Sequence, residues 1–379
     1  MPTHHHLRGN PFHENRHDHE MIGRINEMQR IFSICEEALE NSYPLIIPLL
    51  GPYGMGKTFT LLQLRDKLRG GEYFGKRRKI LTAYLTATQE KFPGKYPLYV
   101  YTNVMDDIGE RGMVYLRDEL ENMGKPPEVV LQNLKEDDFK KAFILLKDPD
   151  EEVRRVAWGW IRGENISLKK AGIHTKITND EIARRNFLDF LRLLKSLDYD
   201  GFAILLDELE QAYAQGVKNL SKVIVWAREL IDKVARIISD DPNEIVPIIL
   251  IIGCAPETWK AISELSERGG PRGAVGEIMA FMSRIPKENY INLEPLSLDE
   301  TKELIRRFVT NALSPGFKPP DPLYPFDDDS ANLIFEVSQG VPRFVIRCAR
   351  ILLREADAEN VKVTKENADR WFRKARIVE

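Results

Sequence analysis

The stretch Gly51-Pro52-Tyr53-Gly54-Met55-Gly56-Lys57-Thr58 decides how the rest of this 379-residue chain is read. It fits the spacing G-x-x-x-x-G-K-[ST]. Glycines let the backbone curl until several amides converge on one phosphate. Lys57 supplies a point charge for the β and γ phosphates, and Thr58 offers a hydroxyl to Mg²⁺. Phe59 continues into a helical pattern, Lys57–Leu68, whose positive dipole end faces the loop. At ordinary residue usage the four fixed positions coincide in roughly one chain in a hundred of this length. Here they also follow an apolar run, Tyr43–Leu50, and so lie in the strand–loop–helix setting that phosphate binding requires. Gly51 through Phe59 are therefore the candidate nucleotide-binding set.

Outward from the loop, strand and helix patterns alternate. Met21–Leu39 carries Ile22, Ile25, Met28, Phe32, Cys35 and Leu39 at helical spacing. Ile80–Leu85 and Leu98–Tyr101 read as strands. From about Asp106 to Asp200 the pattern is helical, in Met113–Met123, Pro127–Leu134, Asp137–Leu146, Glu151–Ile161 and around Phe187, Phe190, Leu191 and Leu194. Phe202–Leu206, Ile245–Ile252 and Tyr290–Leu293 read as further strands. Ser297-Leu298-Asp299-Glu300 is a capping box that opens a helical tail, broken by the proline-rich segment Ser314–Pro325. The expected architecture is α/β: a parallel sheet with a helical insertion at about 106–200 and a helical C-terminal domain. The expected divisions are 1–20 as a flexible end, 21–294 as the nucleotide domain and 295–379 as the helical lid.

Phe202–Leu206 ends in Asp207-Glu208. A strand beside the loop strand would bring both acids to a bound γ-phosphate. Asp207 would hold Mg²⁺ through its water shell, because this hard cation prefers carboxylate and water oxygens. Glu208 would orient and activate an attacking water.

Composition excludes several classes. The longest apolar run, Ile245–Ile252, is too short to span a bilayer, and the first residues lack a signal-peptide order, so a cytoplasmic location without membrane contact is expected. Three scattered cysteines make neither a disulfide framework nor a zinc spacing. The net charge of −3 does not indicate a dedicated nucleic-acid binder, and DNA contact would rest on local runs such as Lys76-Arg77-Arg78-Lys79 and Arg343–Arg354. Plentiful Lys, Arg, Glu and Ile with scarce Gln lean towards a thermophilic source. Six of the seven histidines fall within the first 19 residues, which reads as a polar end or a tag remnant, with transition-metal binding as the alternative.

Together these motifs resemble AAA+ P-loop ATPases, and among them the archaeal replication-initiator type. Ile22-Gly23-Arg24 with Glu27 looks like the box that closes over adenine. Phe281-Met282-Ser283-Arg284-Ile285 looks like an arginine-finger segment, and Gly340-Val341-Pro342-Arg343 like the second sensor of the lid. The run Trp158-Gly159-Trp160-Ile161-Arg162-Gly163-Glu164, with Tyr199-Asp200-Gly201-Phe202 leading into Asp207-Glu208-Leu209-Glu210, is similar to the ATP-binding-domain family of prokaryotic BREX systems. The resemblance implies ATP hydrolysis with Mg²⁺. It also implies catalytic roles for Lys57, Glu208, Arg284 and Arg343, and a homo-oligomer or a protein partner, since Arg284 would act on a neighbour. Two departures stand out. The first-sensor position falls within Gly253-Cys254-Ala255-Pro256-Glu257, where no Asn or Thr occurs. The winged-helix domain of the initiators is expected to be absent. The functional expectation is an ATP-driven switch or remodeller, with a DNA-associated or phage-defence ATPase and a slow ATP sensor as alternatives.

Overall fold

The structure is a computed structural model that describes residues 5–13, 21–73, 76–87, 96–268 and 273–376. His4, His17 and His19 lie outside the described residues. The chain divides into two compact units. One gathers the described residues up to Met28, Gly51–Thr60 and those from Asn292 onward; the other holds Gln29–Leu50 and Leu61–Ile291.

Among the described residues the larger of two sheets has five strands: β1 (Leu45–Leu50), β2 (Ile80–Thr86), β3 (Gly201–Asp207), β4 (Ile248–Cys254) and the two-residue β5 (Ile291–Asn292). Their order is β2-β3-β4-β1-β5. Neighbours among β2, β3, β4 and β1 pair in parallel, as expected for strands joined by helices. Strands β1, β3 and β4 are buried along their whole length, which is why they read as unbroken apolar runs rather than as alternations. The order corrects one expectation: the acid-bearing strand does not lie beside the loop strand, because β4 is inserted between them. In register, Leu50 pairs with Cys254 and Leu206 with Ile252, so β1 and β3 end at the same edge of the sheet.

Among the described residues between β2 and β3 the regular elements are helices: α1 (Tyr96–Asn122), a single turn at Pro127–Val130, then Asp137–Leu145, Glu151–Ile161 and α2 (Asp180–Ser196). The strand expected at Leu98–Tyr101 is instead the first turn of α1. A short apolar run buried on several sides carries no period of its own, so a buried helix and a buried strand look alike there. Gly109 interrupts α1 with φ 72° and ψ 165°. The helix α3 (Val217–Asp240) follows β3, and one apolar core runs from the β-strands through α1, α2 and α3.

The C-terminal helices Leu298–Ala312, Asp328–Ser338, Pro342–Glu359 and Lys365–Lys374 enclose a second core. Ser297 and Glu300 form the capping box read from sequence. Residues 5–13 depart from a flexible end. Leu7 and Phe12 are buried in this second core, Phe12 stacks on Phe308 at 5.3 Å, and Arg8 N–H donates to Ala312 O at 2.9 Å. Burial of two apolar side chains opposes the entropy that would otherwise leave a chain end loose.

Candidate functional site

In the first unit, the loop curls through Gly54 and Gly56 at φ 85° and 88°, a left-handed conformation that glycine adopts without a Cβ penalty. Gly54 is also pressed from outside, since a Cβ there would come within 3.0 Å of Arg343 Cβ. Arg343 N–H donates to Gly54 O at 3.2 Å, and its guanidinium lies 4.5 Å from the centre of the exposed Tyr53 ring. The Lys57 ammonium donates to Gly51 O at 2.8 Å. Pro52 O accepts from Met55 N–H, and Met55 itself is buried. Thr58 and Phe59 lie in the first turn of the helix Lys57–Gly70.

Arg24 is buried at 4% exposure. Its Nη1 donates to Gly23 O at 2.8 Å and Glu294 O at 2.7 Å, and its Nη2 donates to Met55 O at 3.1 Å. Burial lowers its pKa, opposed by the charges of Glu27, Glu300 and Glu294. The guanidinium thus ties the loop's Met55 carbonyl to those of Gly23 and Glu294, an arrangement that holds the loop's shape.

In the second unit, Asp207 ends β3 with 1% exposure. Its Oδ1 accepts from Glu208 N–H at 2.8 Å and its Oδ2 from the Tyr84 hydroxyl at 2.9 Å. Burial, then the Asp207 charge, raises the Tyr84 pKa, so the phenol stays a donor. Glu208 sits at φ 60° and ψ 40°, a left-handed conformation that costs a non-glycine residue about 1–2 kcal/mol. Its Oε2 accepts from Gln211 Nε2. Glu210, whose purpose the sequence left open, accepts from Ala255 N–H at 3.3 Å. Arg284 is held within its own unit: Nε and Nη2 meet the two Asp232 oxygens at 2.5 and 2.8 Å. In the basic run, Arg78 pairs with Glu36 and Asp200, and Lys79 with Glu119, so both are neutralised locally.

No protein-family model matches the chain. No curated protein matches its sequence. Solved structures do match at low identity. Aeropyrum pernix ORC1 in complex with DNA is 12% identical with a TM-score of 0.47, over 96% of this chain and 68% of that one. Aeropyrum pernix ORC2 in its ADP form is 13% identical with a TM-score of 0.47, over 95% and 71%. Drosophila ORC bound to DNA is 12% identical with a TM-score of 0.44, over 96% of this chain. The chain spans 63% of the length of that Drosophila chain.

The structure brings Tyr53, Gly54, Met55, Arg24 and Arg343 together in one unit, and Asp207, Glu208, Tyr84 and Gln211 in the other. Tyr84 and Gln211 escaped the sequence reading. Gln211 could have been found from its position three residues after Glu208 at the start of a helix. Tyr84 had only a weak signal, a phenol in a strand that also carries Thr82 and Thr86. Among the described residues, no helix is long and apolar enough to cross a membrane, and no cluster of three or more His, Cys, Asp or Glu is placed to hold a metal ion.

Proposed function

We propose that this protein is an ATP-hydrolysing switch or remodeller of the AAA+ type, with 295–379 as its lid and Gly51–Phe59 as its phosphate loop. The observation that carries the reading is that β1, which runs directly into the loop, ends at the same sheet edge as β3, which ends in Asp207 and the strained Glu208. Strained φ/ψ at a non-glycine residue concentrates at active sites, where surrounding contacts hold it in place.

The residues present suit ATP and Mg²⁺. Two left-handed glycines leave the loop open to a phosphate, and Asp207 is held as an acceptor by two donors. Bound Mg²⁺ would neutralise charge on the phosphates. Thr58 and Asp207 would hold it, the latter through water. Lys57 exchanges Gly51 O for phosphate oxygens. Glu208 orients the attacking water and takes its proton, with Gln211 fixing the carboxylate. Arg343 follows the nucleotide from the lid, and Arg284 leaves Asp232 to reach a neighbouring subunit's nucleotide in a homo-oligomer. Gly23 and Arg24 shape the loop rather than contact the base.

Glu208→Gln is expected to abolish hydrolysis while leaving ATP affinity within a few-fold, and Lys57→Ala to abolish binding. Loss of ATP binding in Glu208→Gln, or retained turnover, overturns the assignment. A slow ATP sensor is the second reading, favoured by the stretch Gly253-Cys254-Ala255-Pro256-Glu257, where a polar first sensor is expected and no Asn or Thr occurs. Under it the unmodified protein turns over so slowly that Glu208→Gln changes little. A DNA-associated or phage-defence role draws less support, because Arg78 and Lys79 are already paired within the protein.

A further inference from the structure

Away from the nucleotide residues, α1, α2 and α3 leave a cleft of about 380 Å³ between them. The cleft is open to solvent on one side and walled largely by apolar side chains, the form that small-molecule sites commonly take. Its walls include Val100 and Tyr101 from α1, Phe187 and Leu188 from α2, and Trp226 and Leu230 from α3. An apolar cavity of about 150 Å³ takes one benzene ring, so this one suits a body of roughly two fused rings.

Two polar features restrict what that body carries. Tyr101 is 1% exposed, and its hydroxyl has no hydrogen-bond partner among the described residues. Phenylalanine would pack the same ring without stranding a buried hydroxyl, so the phenol is an unmet donor on a residue of the cleft wall. At the mouth, Arg184 is paired with Glu229 at 2.5 Å and Arg185 faces Glu136 at 3.6 Å. Lys233 forms no ion pair among the described residues, nor does Arg236 one turn further along α3. Lys233 also lines an adjoining cleft with Arg236, Lys135 and Arg192, in which five cationic side chains face three carboxylates. The apolar cavity therefore opens onto a net positive surface.

We propose that this cleft binds a small amphipathic anion: a bicyclic-sized apolar body between the three helices, a polar atom at the Tyr101 hydroxyl, and a carboxylate at Lys233 and Arg236. The site shares no residue with the nucleotide set, and it lies between the helical segment that joins β2 to β3 and α3, which follows β3.

The test is calorimetric titration of the full chain with 2-naphthoate, with and without saturating Mg-ATP. The expected result is one saturable site per chain, unaffected by Mg-ATP and weakened about tenfold in each of Tyr101→Phe and Lys233→Glu. Lys233 is a mouth residue, so its variant keeps the test valid if the Tyr101 variant folds poorly. Absence of binding up to millimolar 2-naphthoate overturns the proposal. So does competition by Mg-ATP, or affinity that both variants leave unchanged.

Discussion

Gly253 on β4 lies so close under Asp207 on β3 that a Cβ at position 253 would sit 2.8 Å from Asp207 Oδ1 and 3.0 Å from Leu61 Cδ1. At 253, any side chain longer than hydrogen displaces the acid. Gly253→Ala is therefore expected to move Asp207 and to lower the maximal rate of ATP hydrolysis about a hundredfold, the scale of an ångström's misplacement. Overpacking should also cost about 1–3 kcal/mol of stability. Hydrolysis at saturating Mg-ATP and urea unfolding measure the two effects. A variant with normal turnover would show that the position of Asp207 is not critical.

Tyr84 holds the other oxygen of Asp207. A hydrogen bond to a charged group contributes about 1.5–3 kcal/mol, so Tyr84→Phe leaves the carboxylate less firmly aimed. The midpoint of Mg²⁺ activation is expected to rise about tenfold, with ATP affinity in the absence of Mg²⁺ unchanged. An unchanged Mg²⁺ midpoint would assign the phenol to packing alone.

Arg284 begins in an ion pair with Asp232, about a third exposed. Exposed pairs contribute about 0–1 kcal/mol, so this one is easily exchanged for a phosphate. Arg284→Ala is expected to lower hydrolysis by about 10³-fold or more without weakening ATP binding. Mixing it with Glu208→Gln should restore activity, because the second variant lends its intact arginine to the first variant's intact acid. Failure of the mixture to recover activity would exclude action in trans.

What could be read from sequence was chemistry carried by contiguous residues. Gly51–Thr58 and Asp207-Glu208 state their setting within a few positions, and Ser297 and Glu300 form their box across one turn. What could not be read depends on register across the sheet. Tyr84 meets Asp207 only because β2 pairs beside β3, with Thr86 opposite Asp207. Gly253 meets it only because β4 is inserted between β3 and β1. Leu98–Tyr101 shows the local version of the same difficulty, four apolar residues whose helical period appears only once Val104 and Met105 are counted with them. Leu7 and Phe12 were legible in principle, since two large apolar residues in a polar stretch ask to be buried.

Buried thiols occur in both compact units, Cys348 in one and Cys35 and Cys254 in the other, and two of them predict how the protein fails in alkali. Burial pushes the Cys35 thiol from 9.0 up to about 12, aided by the Glu36 charge. Burial pushes the Cys348 thiol from 9.0 up to about 11, opposed by Arg347. Both folded pKa values are raised, so the folded chain keeps protons that the unfolded chain releases. Stability is therefore full below pH 9 and falls as pH rises through 9 to about 12 for Cys35 and 9 to about 11 for Cys348. The slope per thiol is at most about 1.4 kcal/mol per pH unit. The buried Tyr96 and Tyr101 hydroxyls, also raised by burial, add to the loss from about pH 10. Urea unfolding from about pH 8 to about pH 10.5 should show this decline, with a shallower slope in Cys35→Ala and in Cys348→Ala even though each variant starts less stable. Slopes identical to that of the unmodified protein would show that neither Cys35 nor Cys348 holds its proton against solvent.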